Sequence, residues 1–254
     1  MSAPETEPPR PPDAAETAGG ASGRSWPRPW PALAVAAVGL AVTAALVQWL
    51  PQLHLAVMTW PAWAVAVLDL VALSAPLAAA VLVAVRVGGS RFAVATGLRG
   101  FSWIDLAAGV GVGLIARALV ETLVPTVGGF GGGFGIESPD LVAAIVIAAA
   151  GAVLVTSLVE ELFFRGLLQR ALGDALAGAG RIAAGVVAVL VSTAAFTAMH
   201  LVSGGGAGLQ AGILTGTIAV GLGCGILTLL TGRLAGAVIA HVVYNAIGVA
   251  LLAW

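Results

Sequence analysis

Three short segments of this sequence carry side chains able to move protons. VEELFFRG supplies Glu160, Glu161 and Arg165, FTAMH supplies Phe196 and His200, and HVVYN supplies His241 and Asn245. In each, two of these residues stand four apart: Glu161 and Arg165, Phe196 and His200, His241 and Asn245. On a helix that spacing puts both members on one face, about one turn apart. A carboxylate facing an imidazole can serve as a general-base pair for activating water, because burial in a dry interior raises a carboxyl pKa towards neutrality. An imidazole and a carboxamide one turn apart can donate hydrogen bonds to a developing oxyanion. Taken singly, each group also has a bland reading. Adjacent glutamates at a helix end are commonly a solvated pair, and a histidine there is commonly interfacial. Found together in a chain that is only 9% charged, they point to one site.

The elements that hold these residues must lie in lipid. The chain has 254 residues, of which 59% are hydrophobic, and a mean hydropathy of +1.05. So few charges cannot make a soluble skin, and lipid must replace water over most of the surface. The expected fold class is all-α, a polytopic transmembrane helical bundle. Net charge is −1, which argues against nucleic acid as a partner. The single cysteine, Cys224, excludes an intramolecular disulfide and reads as a small packing residue. Alanine, glycine, valine and leucine dominate and lysine is absent, a composition that suggests GC-rich coding and a bacterial plasma membrane.

Seven apolar runs, near 31–50, 62–85, 105–124, 141–160, 182–202, 210–230 and 235–253, are long enough to cross. A hydrocarbon core of about 30 Å takes roughly 20 helical residues. The stretch 162–176 either extends the fourth helix or forms a separate interfacial piece. Residues 1–29, rich in Pro, Ala, Gly and charge, read as a disordered tail and not as a signal peptide. Residues 30–140 then form N-terminal transmembrane helices, and 141–254 a core that carries the three segments.

Arginine placement orients the bundle. Arg24 and Arg28 precede span one, Arg86, Arg91 and Arg99 follow span two, Arg165, Arg170 and Arg181 follow span four, and Arg233 follows span six. The other loops have none. This alternation predicts an inside N-terminus and an outside C-terminus, and an eighth span would break it. Trp26, Trp30, Trp49, Trp60, Trp63, Trp103 and Trp254 fall near span ends, where amphipathic rings settle.

Ionisable groups inside spans are costly and need a reason. Arg117 and Glu121, four apart in span three, are expected to neutralise each other, with a place on a substrate path as the alternative. Asp69, before Pro76 in span two, either lines a cavity or caps a kink. Glu160 and His200 are equidistant from position 180, so an antiparallel hairpin about that turn sets them level. Twenty residues correspond to ~30 Å of helix. This pairing conflicts with a fourth span ending at 160, unless that helix runs on well past it.

In these residues the sequence resembles the CPBP family, which contains the CAAX prenyl endopeptidases and bacteriocin-processing or self-immunity proteins. Its three blocks, Glu–Glu–x–x–x–Arg, Phe–x–x–x–His and His–x–x–x–Asn, occur here in order as EELFFR, FTAMH and HVVYN. The resemblance covers roughly 141–253. It implies peptide-bond hydrolysis within the membrane, on a peptide precursor, a prenylated peptide or a membrane-protein substrate. By that resemblance Glu160 is the catalytic glutamate, His200 positions the water, and His241 and Asn245 stabilise the oxyanion. Glu161 and Arg165 hold helix geometry or touch substrate, with Phe196 in support. No metal is the favoured expectation. Zinc is the alternative, with Glu160, His200 and His241 as ligands and an open fourth position. Rival readings are a proton-coupled transporter, for which the span pattern shows no internal repeat, and a self-immunity protein without proteolysis. Two glycine-rich loops, 127–135 and 203–208, could gate entry or simply connect spans.

Overall fold

The computed structural model describes residues 24–125, 138–202 and 207–252. All regular structure among them is helical. Seven helices are long and apolar enough to cross a membrane: α1 (Pro29–Ala56), α2 (Ala62–Val87), α4 (Trp103–Leu123), α5 (Pro139–Ala175), α6 (Arg181–Val202), α7 (Ala207–Thr231) and α8 (Ala235–Leu252). The short α3 (Phe92–Thr96) sits between α2 and α4. The protein is an integral membrane bundle, as its composition requires. Both glycine-rich loops lie wholly or mostly outside the described residues.

The helix boundaries follow local chemistry. Pro29 opens α1 and Pro139 opens α5, in first-turn positions where a missing N–H costs nothing. Ser102 caps α4 in a capping box with Asp105, whose carboxylate takes the Ser102 N–H at 2.9 Å. Asp105 is wholly buried and also receives a bidentate pair from Arg233 at 2.8–3.1 Å, which ties the start of α4 to the α7–α8 turn. Gly97 ends α3 at φ +74°, a conformation that glycine adopts without strain.

Small residues let the helices approach closely, the usual device where lipid supplies no hydrophobic drive between helices. A Cβ on Gly109 or Gly113 of α4 would stand 2.6 Å from the carbonyl oxygen of Gly236 or Ala240 on α8. The most extensive pairings are α2 with α5, α4 with α8, α1 with α2, and α6 with α7.

Helix α5 runs through Glu160 to Ala175, 37 residues in all. The fourth span therefore does not end at 160, and 162–176 mostly extends it rather than forming an eighth element. Arg165 and Arg170 lie within this helix and not in a loop. The extension resolves the conflict between topology and pairing, because it sets Glu160 mid-helix, level with the far end of α6. Two π-helical stretches, Gly151–Thr156 and Leu162–Gln169, flank the turn that carries both glutamates. Such insertions concentrate at functional sites.

Trp26 falls in the stretch read as a tail but is fully buried. Its indole donates to the Gly166 carbonyl at 3.2 Å and its backbone N–H to Asp174 at 2.8 Å. Asp69 bonds His54 of α1 at 2.7 Å, and Arg117 contacts Glu121 as the spacing predicts. Cys224 is buried and donates to the Ala237 carbonyl at 3.3 Å.

Candidate active site

The hairpin register about position 180 holds along its length. Phe164 of α5 packs edge-on against Phe196 of α6, ring centres 5.2 Å apart, and Ser192 donates to the Phe164 carbonyl at 2.8 Å. One turn nearer the far end, Glu160 Oε1 lies 3.8 Å from Nε2 of His200. Glu160 Oε2 lies 3.6 Å from Nε2 of His241 on α8. Three helices thus bring one carboxylate between two imidazoles.

Each imidazole is oriented through its other nitrogen. His200 Nδ1 donates to the Phe196 carbonyl at 2.9 Å; a carbonyl only accepts, so the proton is on Nδ1. The Phe196 ring packs against both imidazoles, at 4.4 Å from His200 and 5.7 Å from His241. His241 Nδ1 bonds Glu161 Oε1 at 2.8 Å. Both rings therefore present Nε2 to Glu160.

Behind this row lies a buried ionic layer. Glu161 and Arg165 are wholly buried and pair at 3.0 Å. The Arg165 guanidinium sits 4.7 Å from the Phe196 ring centre and donates to the Gly221 carbonyl at 3.3 Å. Neither Glu161 nor Arg165 lines the cavity. Asn245 gives its amide hydrogens to α5, to the Ala152 carbonyl at 3.1 Å and Ser157 Oγ at 3.0 Å.

A cavity of about 250 Å³ opens onto Glu160, His200, His241 and Asn245, with Phe196, Val220 and Tyr244 among its walls. All seven residues marked in the sequence thus gather in one place, five on the cavity and two behind it. Tyr244 and Ser157 were missed. Tyr244 is the only tyrosine of the chain and sits inside HVVYN; Ser157 stands one turn before Glu161. Their positions within or beside the segments were the available signals.

Glu160, His200 and His241 are a donor set of the kind zinc takes. As they stand they do not form a coordination shell. Among the described residues no group of three or more His, Cys, Asp or Glu side chains is placed to hold a metal ion.

Residues 142–247 match the model of the family described as type II CAAX prenyl endopeptidase Rce1-like. This part of the chain is similar to that family. The matched segment holds α5 from its first turn through most of α8, and so contains every residue of the site. The likeness to the Rce1-like family supports CAAX-type intramembrane endopeptidase activity in general terms. No curated protein and no solved structure matches the chain.

Proposed function

We propose that the protein hydrolyses a peptide bond of a membrane-associated substrate, with Glu160 as the general base on a water. The observation that carries this reading is the placement of the Glu160 carboxylate between two imidazole Nε2 atoms, at 3.6 and 3.8 Å, on one cavity. Those separations are too long for direct hydrogen bonds and leave space for a bridging water.

Such a water donates one hydrogen to Glu160 and one to the Nε2 lone pair of His200. Its oxygen then attacks the scissile carbonyl carbon as its proton passes to Glu160. The carbonyl oxygen takes up the charge and receives hydrogen bonds from His241, protonated on Nε2, and from Asn245. The Glu161 carboxylate at Nδ1 supports the imidazolium, as a buried acid does in other hydrolases. Asn245 reaches the oxyanion by releasing Ser157, whose hydroxyl has another partner in the Ala152 carbonyl at 3.2 Å. Collapse of the tetrahedral adduct breaks the C–N bond, and Glu160 returns its proton to the leaving amine. One water is consumed per bond.

The cavity suits an extended peptide reached from the bilayer, either a prenylated peptide or a peptide precursor in a bacterial plasma membrane. Cleavage of a panel of quenched peptides, with and without a C-terminal prenyl cysteine, by detergent-purified protein tests this reading. Wild type that cleaves while Glu160→Gln does not is the expected result. No cleavage of any member, or equal cleavage by Glu160→Gln, refutes it.

A further inference from the structure

A second cavity, of about 530 Å³, opens at the arginine-rich end of the bundle. Among its walls are Gln169 and Arg170 of α5, Arg181 of α6 and Thr228 of α7. Between it and the Glu160 cavity runs a strip of buried polar atoms with no hydrogen-bond partner: Arg165 Nε, Thr197 Oγ1, Thr193 Oγ1, Gln169 Oε1 and Thr228 Oγ1. All belong to the three helices α5, α6 and α7 that join the two cavities.

The strip is ordered by a ladder between α5 and α7. Arg165 donates to the Gly221 carbonyl, and one turn on Gln169 donates to the Gly225 carbonyl at 2.9 Å. Thr193 of α6 packs on Gly221, and Gln169 Oε1 lies beside Gly225. Gly221 and Gly225 bring no side chain of α7 into this space. From Glu161 to Gln169 is eight residues, ~12 Å of helix.

The unsatisfied threonines are an exception within this chain. Thr43, Thr122, Thr215, Thr217 and Thr231 each return their hydroxyl to the carbonyl four residues back, at 2.7–2.9 Å. That bond needs no tertiary partner and is open to any helical threonine. Thr193, Thr197 and Thr228 do not make it, and all three lie on the strip. A buried polar group left unmatched is costly, and native interiors satisfy such groups with bound water.

We infer that a file of bound waters links the two cavities and delivers water to Glu160 from the arginine-rich end. The inference rests on the hydrolytic reading for its purpose and on the orphaned atoms for its existence. Its purpose follows from size. A peptide seated in the 250 Å³ cavity closes the front entry to bulk water, so the water consumed at each turnover needs another route.

The test is X-ray hydroxyl-radical footprinting in ¹⁸O water on full-length protein in lipid nanodiscs, without substrate. Radicals made from bound water oxidise the side chains they touch, so buried Phe164 and Leu168, which do not line the Glu160 cavity, should be labelled in wild type. Thr193→Val with Thr197→Val keeps the side-chain shape and removes two anchoring hydroxyls. It should reduce labelling at these positions at least threefold and lower kcat at least threefold with KM unchanged. Thr193→Ser with Thr197→Ser should restore both, which separates lost water from lost packing. Absence of labelling in wild type, or equal labelling in the valine variant, overturns the file. Lost labelling with unchanged kcat overturns its role in supply. Labelling that depends on the threonines in a protein that cleaves no peptide would leave the file standing and refute the hydrolytic reading instead.

Discussion

Glu161 Oε1 accepts a hydrogen bond from Nδ1 of His241 at 2.8 Å, joining side chains 80 residues apart in the chain. Both are almost wholly buried. The two adjacent glutamates therefore have different work: Glu160 faces the cavity, and Glu161 faces the imidazole that Glu160 also approaches. In the hydrolytic reading proposed above, Glu161 is a positioning residue acting through His241, with Arg165 as its counter-charge.

Glu160→Gln is expected to lower kcat by ~10²–10⁴, the usual cost of removing a general base. The amide keeps the size of the carboxylate, and Glu160 contributes no link to the Arg165 layer. Thermal unfolding of the variant should match wild type. Measured kcat within tenfold of wild type would move the base to another residue.

Glu161→Gln leaves the Glu160 cavity intact but replaces the carboxylate at His241 Nδ1. Loss of kcat of up to ~10⁴-fold is expected, the cost of replacing by its amide a buried acid that orients a functional histidine. KM should change little, since Glu161 does not line the cavity. A variant whose defect lies mainly in KM would contradict the positioning role.

Arg165 offers a stability test. Arg165→Met strands the Glu161 carboxylate in a dry interior, and breaking a buried pair this way costs ~3–5 kcal/mol. Adding Glu161→Gln removes the stranded charge and should recover much of that loss. Activity should not recover, because His241 has lost its carboxylate. Chemical unfolding and kcat measured on the two singles and the double check both halves. Additive destabilisation would show that the pair is not coupled.

Much of this arrangement was legible because helical geometry is local. Four-residue spacing within each segment and equal distances from position 180 set Glu160 against His200 without any coordinates. What spacing could not supply was the order of layers across helices. Nothing in the sequence says that Glu161 turns to α8, since that depends on how α5 rotates between its two π-helical stretches. The end of the fourth span was hidden for a related reason. Arg165 and Gln169 interrupt the apolar run and read as an exit from the membrane, whereas burial against Phe196, Gly221 and Gly225 keeps them inside. Trp26 was similarly unreadable, because its partners Gly166 and Asp174 are 140 and 148 residues away.

Metal dependence separates two chemistries for one set of donors. With Glu160 acting on water directly, activity should survive exhaustive chelation, and purified protein should hold far less than one zinc per chain. Activity lost on chelation and restored by stoichiometric zinc would assign Glu160, His200 and His241 as ligands. Elemental analysis of the active preparation, before and after chelation, decides between them.

The last expectation concerns orientation. Moving Arg165 and Arg170 into α5 removes two charges from the loop count, so the alternation must be judged again. Arg24 and Arg28 still precede α1, Arg86, Arg91 and Arg99 still lie between α2 and α4 or at their ends, Arg181 still starts α6, and Arg233 still sits between α7 and α8. The connections α1–α2, α4–α5 and α6–α7 still carry no arginine. Seven crossings with that bias place the N-terminus inside and the C-terminus outside. The second cavity, which Arg170 and Arg181 help to line, then opens to the inside, and the Glu160 cavity lies towards the outer half. Reporter fusions near 95 and 178 should read inside, and those near 60, 130, 205 and 254 outside. A fusion at 254 that reads inside, with the others as stated, would require an even number of crossings and would overturn the count, whereas fusions at 95 and 178 that read outside would overturn the side from which water is drawn.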